Sequence, residues 1–393
     1  MQQSRTSRKP HRRTRLGLGL SGALIALALA AGHAGGPASA EPTHGVLRIA
    51  WQEDLPPYPN GPALDIRWAS DHSVYLAWVK EGVTETALDG KFTRLRTLIA
   101  DPVRWMLGFE MLAVSPQYTV ASYRARTMVF RPTRSRAGGL VAISRVFMND
   151  GIVEDLDLSG DRFLLLGNPA WSESLESPAP PIAWIGPLGE HPGKDLRPLP
   201  LYDAGGPRSP GLVNCSELRL GGARFLPDGS LFVVPGFQPG AHQLTAGGRL
   251  LRTWDTPELG LDAVDCAHLG EEQHRLFGRS PKARFEFINQ HRVLDAILPL
   301  AAGPGLLVRF VKDGAVHWEL KILESGARVL TYQVPLVGEL PYDRLRGDVR
   351  GDRIVFLRGA HGFDKWGPPF RANHVAVAEL PFSFAAPEKG GAK

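Results

Sequence analysis

Hydrophobic residues along this chain come in short runs broken by glycine, proline and charged residues, and no long segment keeps a clean helical period. The clearest runs are 46–51, 74–79, 162–166, 231–234, 306–311, 354–357 and 375–380, rich in β-branched and aromatic residues. Runs of this length and composition predict strands rather than helices. The stretches between them lack the amphipathic pattern of a crossover helix, so the strands are expected to pair antiparallel.

The pattern also repeats. Val153-Glu154-Asp155-Leu156-Asp157-Leu158, Val213-Asn214-Cys215-Ser216-Glu217-Leu218 and Val264-Asp265-Cys266-Ala267-His268-Leu269 align without gaps. Each has an apolar first position, a polar second, a polar or ionisable fifth and leucine at the sixth. A fourth copy is offset along the same unit, where Asp348-Val349-Arg350-Gly351-Asp352-Arg353 matches Asp157-Leu158-Ser159-Gly160-Asp161-Arg162. Strand-turn-strand units recurring at roughly fifty residues predict a repeat architecture. The fold class expected is all-β, a β-propeller of seven blades starting near Ala63, Trp105, Gly151, Gly211, Gly260, Ala301 and Asp343, with six blades as the other count. Two stacked sandwiches are the competing architecture. The last unit has room for only about three strands, and the early strand 46–51 would supply the fourth. Closing the ring with strands from both chain ends removes two exposed sheet edges.

Phe225-Leu226-Pro227-Asp228-Gly229-Ser230-Leu231-Phe232-Val233-Val234 resembles the strand, Pro-Asp-Gly turn, strand signature of the TolB-like, NHL and SMP-30-like propeller superfamilies. Weaker echoes are Leu88-Asp89-Gly90-Lys91-Phe92 and Lys312-Asp313-Gly314-Ala315-Val316. The likeness covers about one blade, so what it implies is the fold. SMP-30-like lactonases use a mix of carboxylates and other polar groups as channel ligands, but this chain does not match them residue by residue.

Charge changes meaning once the first forty residues are set apart. Arg5, Arg8, Lys9, Arg12, Arg13 and Arg15 precede an apolar run over 16–32, and Ala38-Ser39-Ala40 supplies a small-residue cleavage signal before Glu41. That is the plan of a secretory leader. Of 45 basic and 40 acidic residues the leader holds six basic and no acidic ones, leaving 39 against 40. The basic balance therefore belongs to the leader, and the mature part carries no charge signature of a nucleic-acid binder. The expected organisation is a signal peptide over 1–40, a propeller domain over 41–382 and a tail over 383–393. The product is expected to be periplasmic or secreted, monomeric, and without stable membrane insertion after leader cleavage.

Motifs for chemistry are few. There is no G-x-S-x-G elbow, and Gly17-Leu18-Gly19-Leu20-Ser21-Gly22 lies in the leader with no preceding strand, so it is no dinucleotide loop. His268 and His274 flank Glu271 and Glu272, but their spacing fits no zinc motif. Cys215 and Cys266 occupy the same position in successive repeats, and export makes a disulfide between them the expectation.

The repeated fifth position gives the ligand-binding candidates Asp157, Glu217, His268 and Asp348, with Glu154, Asn214 and Asp265 from the second position. On innermost strands they would ring one mouth of the channel. Such a set could hold Ca²⁺ or another divalent metal, or simply solvate a watery channel; no cofactor follows with certainty. Trp51, Trp68, Trp171, Trp184 and Trp366 are further contacts if they lie on loops, and core side chains if they pack between blades. The expected function is a noncatalytic binding or scaffold protein recognising a protein, glycan or small-molecule ligand. The alternative is a metal-dependent, lactonase-like hydrolase or lyase using the channel carboxylates.

Overall fold

The computed structural model describes residues 45–56, 62–78, 82–99, 110–123, 126–132, 140–147, 152–168, 183–188, 196–199, 201, 218, 220–236, 240–262, 271–324, 328–338, 342–360 and 373–381. All of them belong to the compact unit Thr43–Lys393.

Strands β1 (Gly45–Val46) and β2 (Arg48–Asp54) come first and join blades formed much later in the chain. Blade 1 is β3 (Ala63–Ser70), β4 (Ser73–Trp78), β5 (Gly82–Ala87) and β6 (Arg94–Ile99). Blade 2 is β7 (Met111–Val114), β8 (Thr119–Tyr123), β9 (Arg126–Pro132) and β10 (Leu140–Phe147). Blade 3 is β11 (Ile152–Ser159), β12 (Arg162–Asn168), β13 (Ala183–Pro187) and β14 (Arg197–Pro198). Blade 4 is β15 (Gly222–Phe225), β16 (Leu231–Val234), β17 (Ala241–Leu244) and β18 (Leu250–Trp254). Helices α1 (Glu271–Arg279) and α2 (Pro281–Ile288) follow. Blade 5 is β19 (Val293–Leu300), β20 (Gly303–Lys312), β21 (Ala315–Leu323) and β22 (Val329–Gly338), with β1 added parallel to β22. Blade 6 is β23 (Asp343–Arg350), β24 (Arg353–Ala360) and β25 (His374–Glu379), completed by β2 antiparallel to β25.

Each innermost strand lies against that of the next blade, through β3, β7, β11, β15, β19, β23 and back to β3. The fold is a closed six-bladed β-propeller. The expected ring closure by an early strand holds, and the early strand is the fourth of a three-stranded last blade. The count is six rather than seven. The starts near Gly260 and Ala301 fall on either side of β19 and belong to one blade, because α1 and α2 occupy the interval where a further blade was expected. Helix α2 announces itself locally: Ser280 caps it, its Oγ accepting the Ala283 N–H at 3.2 Å, and Pro281 opens it.

The core is six apolar wedges, one between each pair of neighbouring blades. Strand β12 illustrates the reason. Phe163 and Leu165 pack toward blade 2, while Leu164 and Leu166 pack toward blade 4. Blade strands thus bury both faces, so their sequences read as continuous apolar runs instead of alternating ones. Helix α2 adds Phe285 and Ile288 to the wedge between blades 3 and 4. The Pro-Asp-Gly turn forms the β15–β16 hairpin: Gly229 has φ +81°, and Asp228 Oδ1 accepts the Ser230 N–H at 2.9 Å.

Candidate functional site

Charged residues stand in the middle of the innermost strands, where the neighbouring positions are apolar. A β-bulge in β11 leaves Glu154 unpaired in the ladder, so Glu154, Asp155 and Asp157 run alongside the start of blade 4. Glu154 Oε2 accepts the Gly221 N–H at 3.2 Å, Asp155 Oδ2 the Ala223 N–H at 3.0 Å and Asp157 Oδ2 the Phe225 N–H at 2.8 Å. Three carboxylates in a row thereby hold the inner edge of blade 4 to blade 3.

The device recurs around the ring. Asp65 Oδ2 in β3 accepts the Leu112 N–H of blade 2 at 2.7 Å. Asp295 Oδ2 in β19 accepts the Leu345 N–H of blade 6 at 2.9 Å and the Trp318 indole N–H at 2.6 Å. Asp348 Oδ2 in β23 accepts the Trp68 N–H of blade 1 at 2.8 Å. Asp157 and Asp348, matched in the sequence, are matched in space three blades apart. Each precedes the same hairpin, and the hairpin arginine completes the joint: Arg162 lies 5.6 Å over the Phe225 ring and Arg353 5.2 Å over that of Trp68.

Guanidinium groups balance three of these acids one to one. Arg67 Nη1 meets Asp65 at 3.0 Å, Arg224 Nη1 meets Asp155 at 2.6 Å and Arg344 Nε meets Asp295 at 2.7 Å, all buried. Burial alone would push the Asp155 carboxyl up, but Arg224, Arg346 and the Ala223 N–H hold it below the usual carboxylate range. Asp157 has no arginine in ion-pair contact among the described residues. Burial pushes it up to about 6, against the pull of Arg224, the Phe225 N–H and Arg67. Burial likewise raises Asp348. The site therefore combines three fixed ion pairs with two equivalently placed carboxyls that burial makes weaker acids than an ordinary aspartate.

Of the sequence candidates, Asp157, Asp348 and Glu154 stand on innermost strands, each bonded to a backbone N–H. Glu217, His268, Asn214, Asp265 and the Cys215–Cys266 pair lie outside the described residues. No group of three or more metal-ligating side chains exists among the described residues. Trp68 and Trp184 are buried between blades and Trp51 packs edge-on to Phe92 at 5.5 Å; Trp171 and Trp366 lie outside the described residues. Sequence reading missed Asp65, Asp155, Asp295 and the arginines Arg67, Arg224, Arg344 and Arg346. Their signal was present as charged residues inside apolar runs, Leu64-Asp65-Ile66-Arg67-Trp68 and Val293-Leu294-Asp295-Ala296-Ile297.

No protein-family model matches the chain, nor does any curated protein. Solved structures do resemble it. A member of the DUF4221 family from Bacteroides vulgatus superposes with a TM-score of 0.52 at 9% identity, over 85% of this chain and 97% of that one. Virginiamycin B lyase from Staphylococcus aureus gives 0.43 at 13% identity, over 84% and 99%. The RRP9 WD40 repeats give 0.44 at 10% identity, over 85% and 99%. What is shared at these identities is the propeller. At such identity the likeness shows the fold alone and not membership of the TolB-like, NHL or SMP-30-like groups. No described helix is long and apolar enough to cross a membrane.

Proposed function

We propose that this is an exported propeller whose channel takes a small polar ligand and does acid–base chemistry on it, as a hydrolase or lyase. The observation that carries this reading is Asp157, a part-buried carboxyl that desolvation brings to about 6, paired by symmetry with Asp348, which desolvation also raises. A carboxyl titrating near neutral pH can give and take a proton at working pH, which an ordinary aspartate cannot. Such groups collect at functional sites.

The reading that the channel only binds has one observation in its favour: both carboxyls already accept a backbone N–H from the next blade. The two readings part in one experiment. The mature protein is offered a panel of small lactones and glycosides across pH 4.5 to 8. Turnover that follows a group titrating near pH 6 and disappears in Asp157→Asn supports the catalytic reading. Ligand-induced thermal stabilisation without turnover leaves a binding protein. Export itself is tested by intact mass, which should place the mature start at Glu41.

A further inference from the structure

Among the described arginines of the innermost strands, Arg346 is the one with no acid of its own. Asp65, Asp155 and Asp295 each hold an arginine of their own, namely Arg67, Arg224 and Arg344. Arg346 is buried, at 8% exposure, yet forms no ion pair with a described residue. Its one hydrogen bond runs from Nη1 to the Asp295 carbonyl oxygen at 3.1 Å. The Nε is fully enclosed without a partner, and Nη2 has none among the described residues. Nε–H and Nη2–H lie on one edge of the guanidinium, the edge that grips a carboxylate side-on.

The repeat explains how this came about. Asp348 pairs with Val355 and Asp157 with Leu164; two residues earlier, Arg346 pairs with Leu357 and Asp155 with Leu166. Arg346 thus stands where blade 3 has Asp155. There the carboxylate receives the next blade's Ala223 N–H and Arg224. In blade 6 the acid is replaced by a base, and the next blade's Arg67 turns to its own Asp65 instead. A buried, half-bonded guanidinium is costly to keep unless something completes it. Charges in blades 1, 3 and 5 all act on it: after burial and Arg344, it feels Asp65, Asp155 and Asp295. Those three acids are already engaged, and Arg346 stands on the innermost strand of blade 6 with its guanidinium bonded to the innermost strand of blade 5.

We propose that Arg346 anchors a channel site for a small carboxylate-bearing ligand, gripped side-on through Nε and Nη2. This rests on the reading of the channel as the ligand site and names the ligand class. Asp348, two residues along on the same side of β23 and ~7 Å away, would then meet the far end of a short organic acid or its lactone.

The test is a thermal-shift titration of the full mature chain with sodium acetate and sodium succinate against sodium chloride and phosphate at equal ionic strength. The carboxylates should raise Tm by about 2 °C or more over chloride, and Arg346→Gln should abolish that rise. Arg346→Lys keeps the charge but loses the fork, and should weaken binding about tenfold or more. If Arg346→Gln does not fold, the lysine variant decides. No shift with either carboxylate, an unchanged shift in the variants, or a shift confined to phosphate overturns the proposal. Absence of turnover with an intact, Arg346-dependent shift sinks only the acid–base reading, and Asp157-dependent turnover without such a shift sinks only this one.

Discussion

Replacing Asp157 by asparagine should stabilise the protein at neutral pH while removing its proposed activity. The asparagine Oδ1 can still accept the Phe225 N–H, which Asp157 takes at 2.8 Å, so the joint between blades 3 and 4 survives. What disappears is a charge held in a buried place. Burial moves the folded carboxyl from 3.8 to about 6. Between those values the folded state keeps a proton that the unfolded chain has released, so stability falls as pH rises through the window and then levels off. That rise in pKa corresponds to at most ~3 kcal/mol. Relative to wild type, Asp157→Asn should gain almost nothing at pH 4 and up to ~3 kcal/mol by pH 8. Urea denaturation at half-unit pH steps reads this directly. A gain independent of pH, or a wild type more stable than the variant at pH 8, would refute the argument that burial dominates the site. Stability gained at the expense of activity is the usual mark of a strained functional group.

Asp295 sits at the opposite extreme, since it holds Arg344, the Trp318 indole and the Leu345 N–H together. Asp295→Ala should cost about 3–5 kcal/mol by stranding a buried guanidinium, and a loss under 1 kcal/mol in urea denaturation would show that water replaces the acid. Gly236→Ala would put a Cβ 2.1 Å from the Leu220 carbonyl carbon, a backbone atom that cannot yield. Poor soluble expression or a large drop in Tm is expected, and wild-type melting would count against the close packing. Deleting the mature chain up to Asp54 removes β1 and β2 and bares the outer edges of β22 and β25. The truncated protein should melt earlier and self-associate by size-exclusion chromatography; a monomer with unchanged Tm would mean the closing strand is dispensable.

The architecture was legible because turn chemistry is local. Asp228-Gly229 and the paired hairpins at Gly160 and Gly351 announce themselves in a few residues, and so does a last unit one strand short. The blade count was harder to read, because α1 and α2 occupy a blade-sized interval whose helical signal, the Ser280-Pro281 cap, is as brief as a turn signal. The site was legible only in part. The repeat sets Asp157 and Asp348 at equivalent positions, and the structure gives both the same bond to a backbone N–H of the next blade. Their bonding was invisible because Phe225 and Trp68, the donors, lie far along the chain and offer only backbone N–H groups, which no sequence pattern marks. Asp65, Asp295 and the arginines were passed over because single charges inside apolar runs look like noise until the ring brings them together.

Residues 45–54 touch two neighbouring blades, pairing with β22 of blade 5 through Gly45 and Val46 and with β25 of blade 6 through Arg48 to Asp54. His374 meets Asp54 across 320 positions of sequence. Closing a loop of that size costs about 5 kcal/mol of chain entropy at (3/2)RT ln n, whereas the four main strands of every other blade are neighbouring segments, β1 being an added edge strand of blade 5. Five blades can therefore assemble as hairpins do, in order along the chain, but the sixth must wait until the far end has been made and has found the near one. Refolding should show a late, slow phase belonging to that single joint, and until it completes, two open strand edges would be the place where one molecule can mistake another's end for its own.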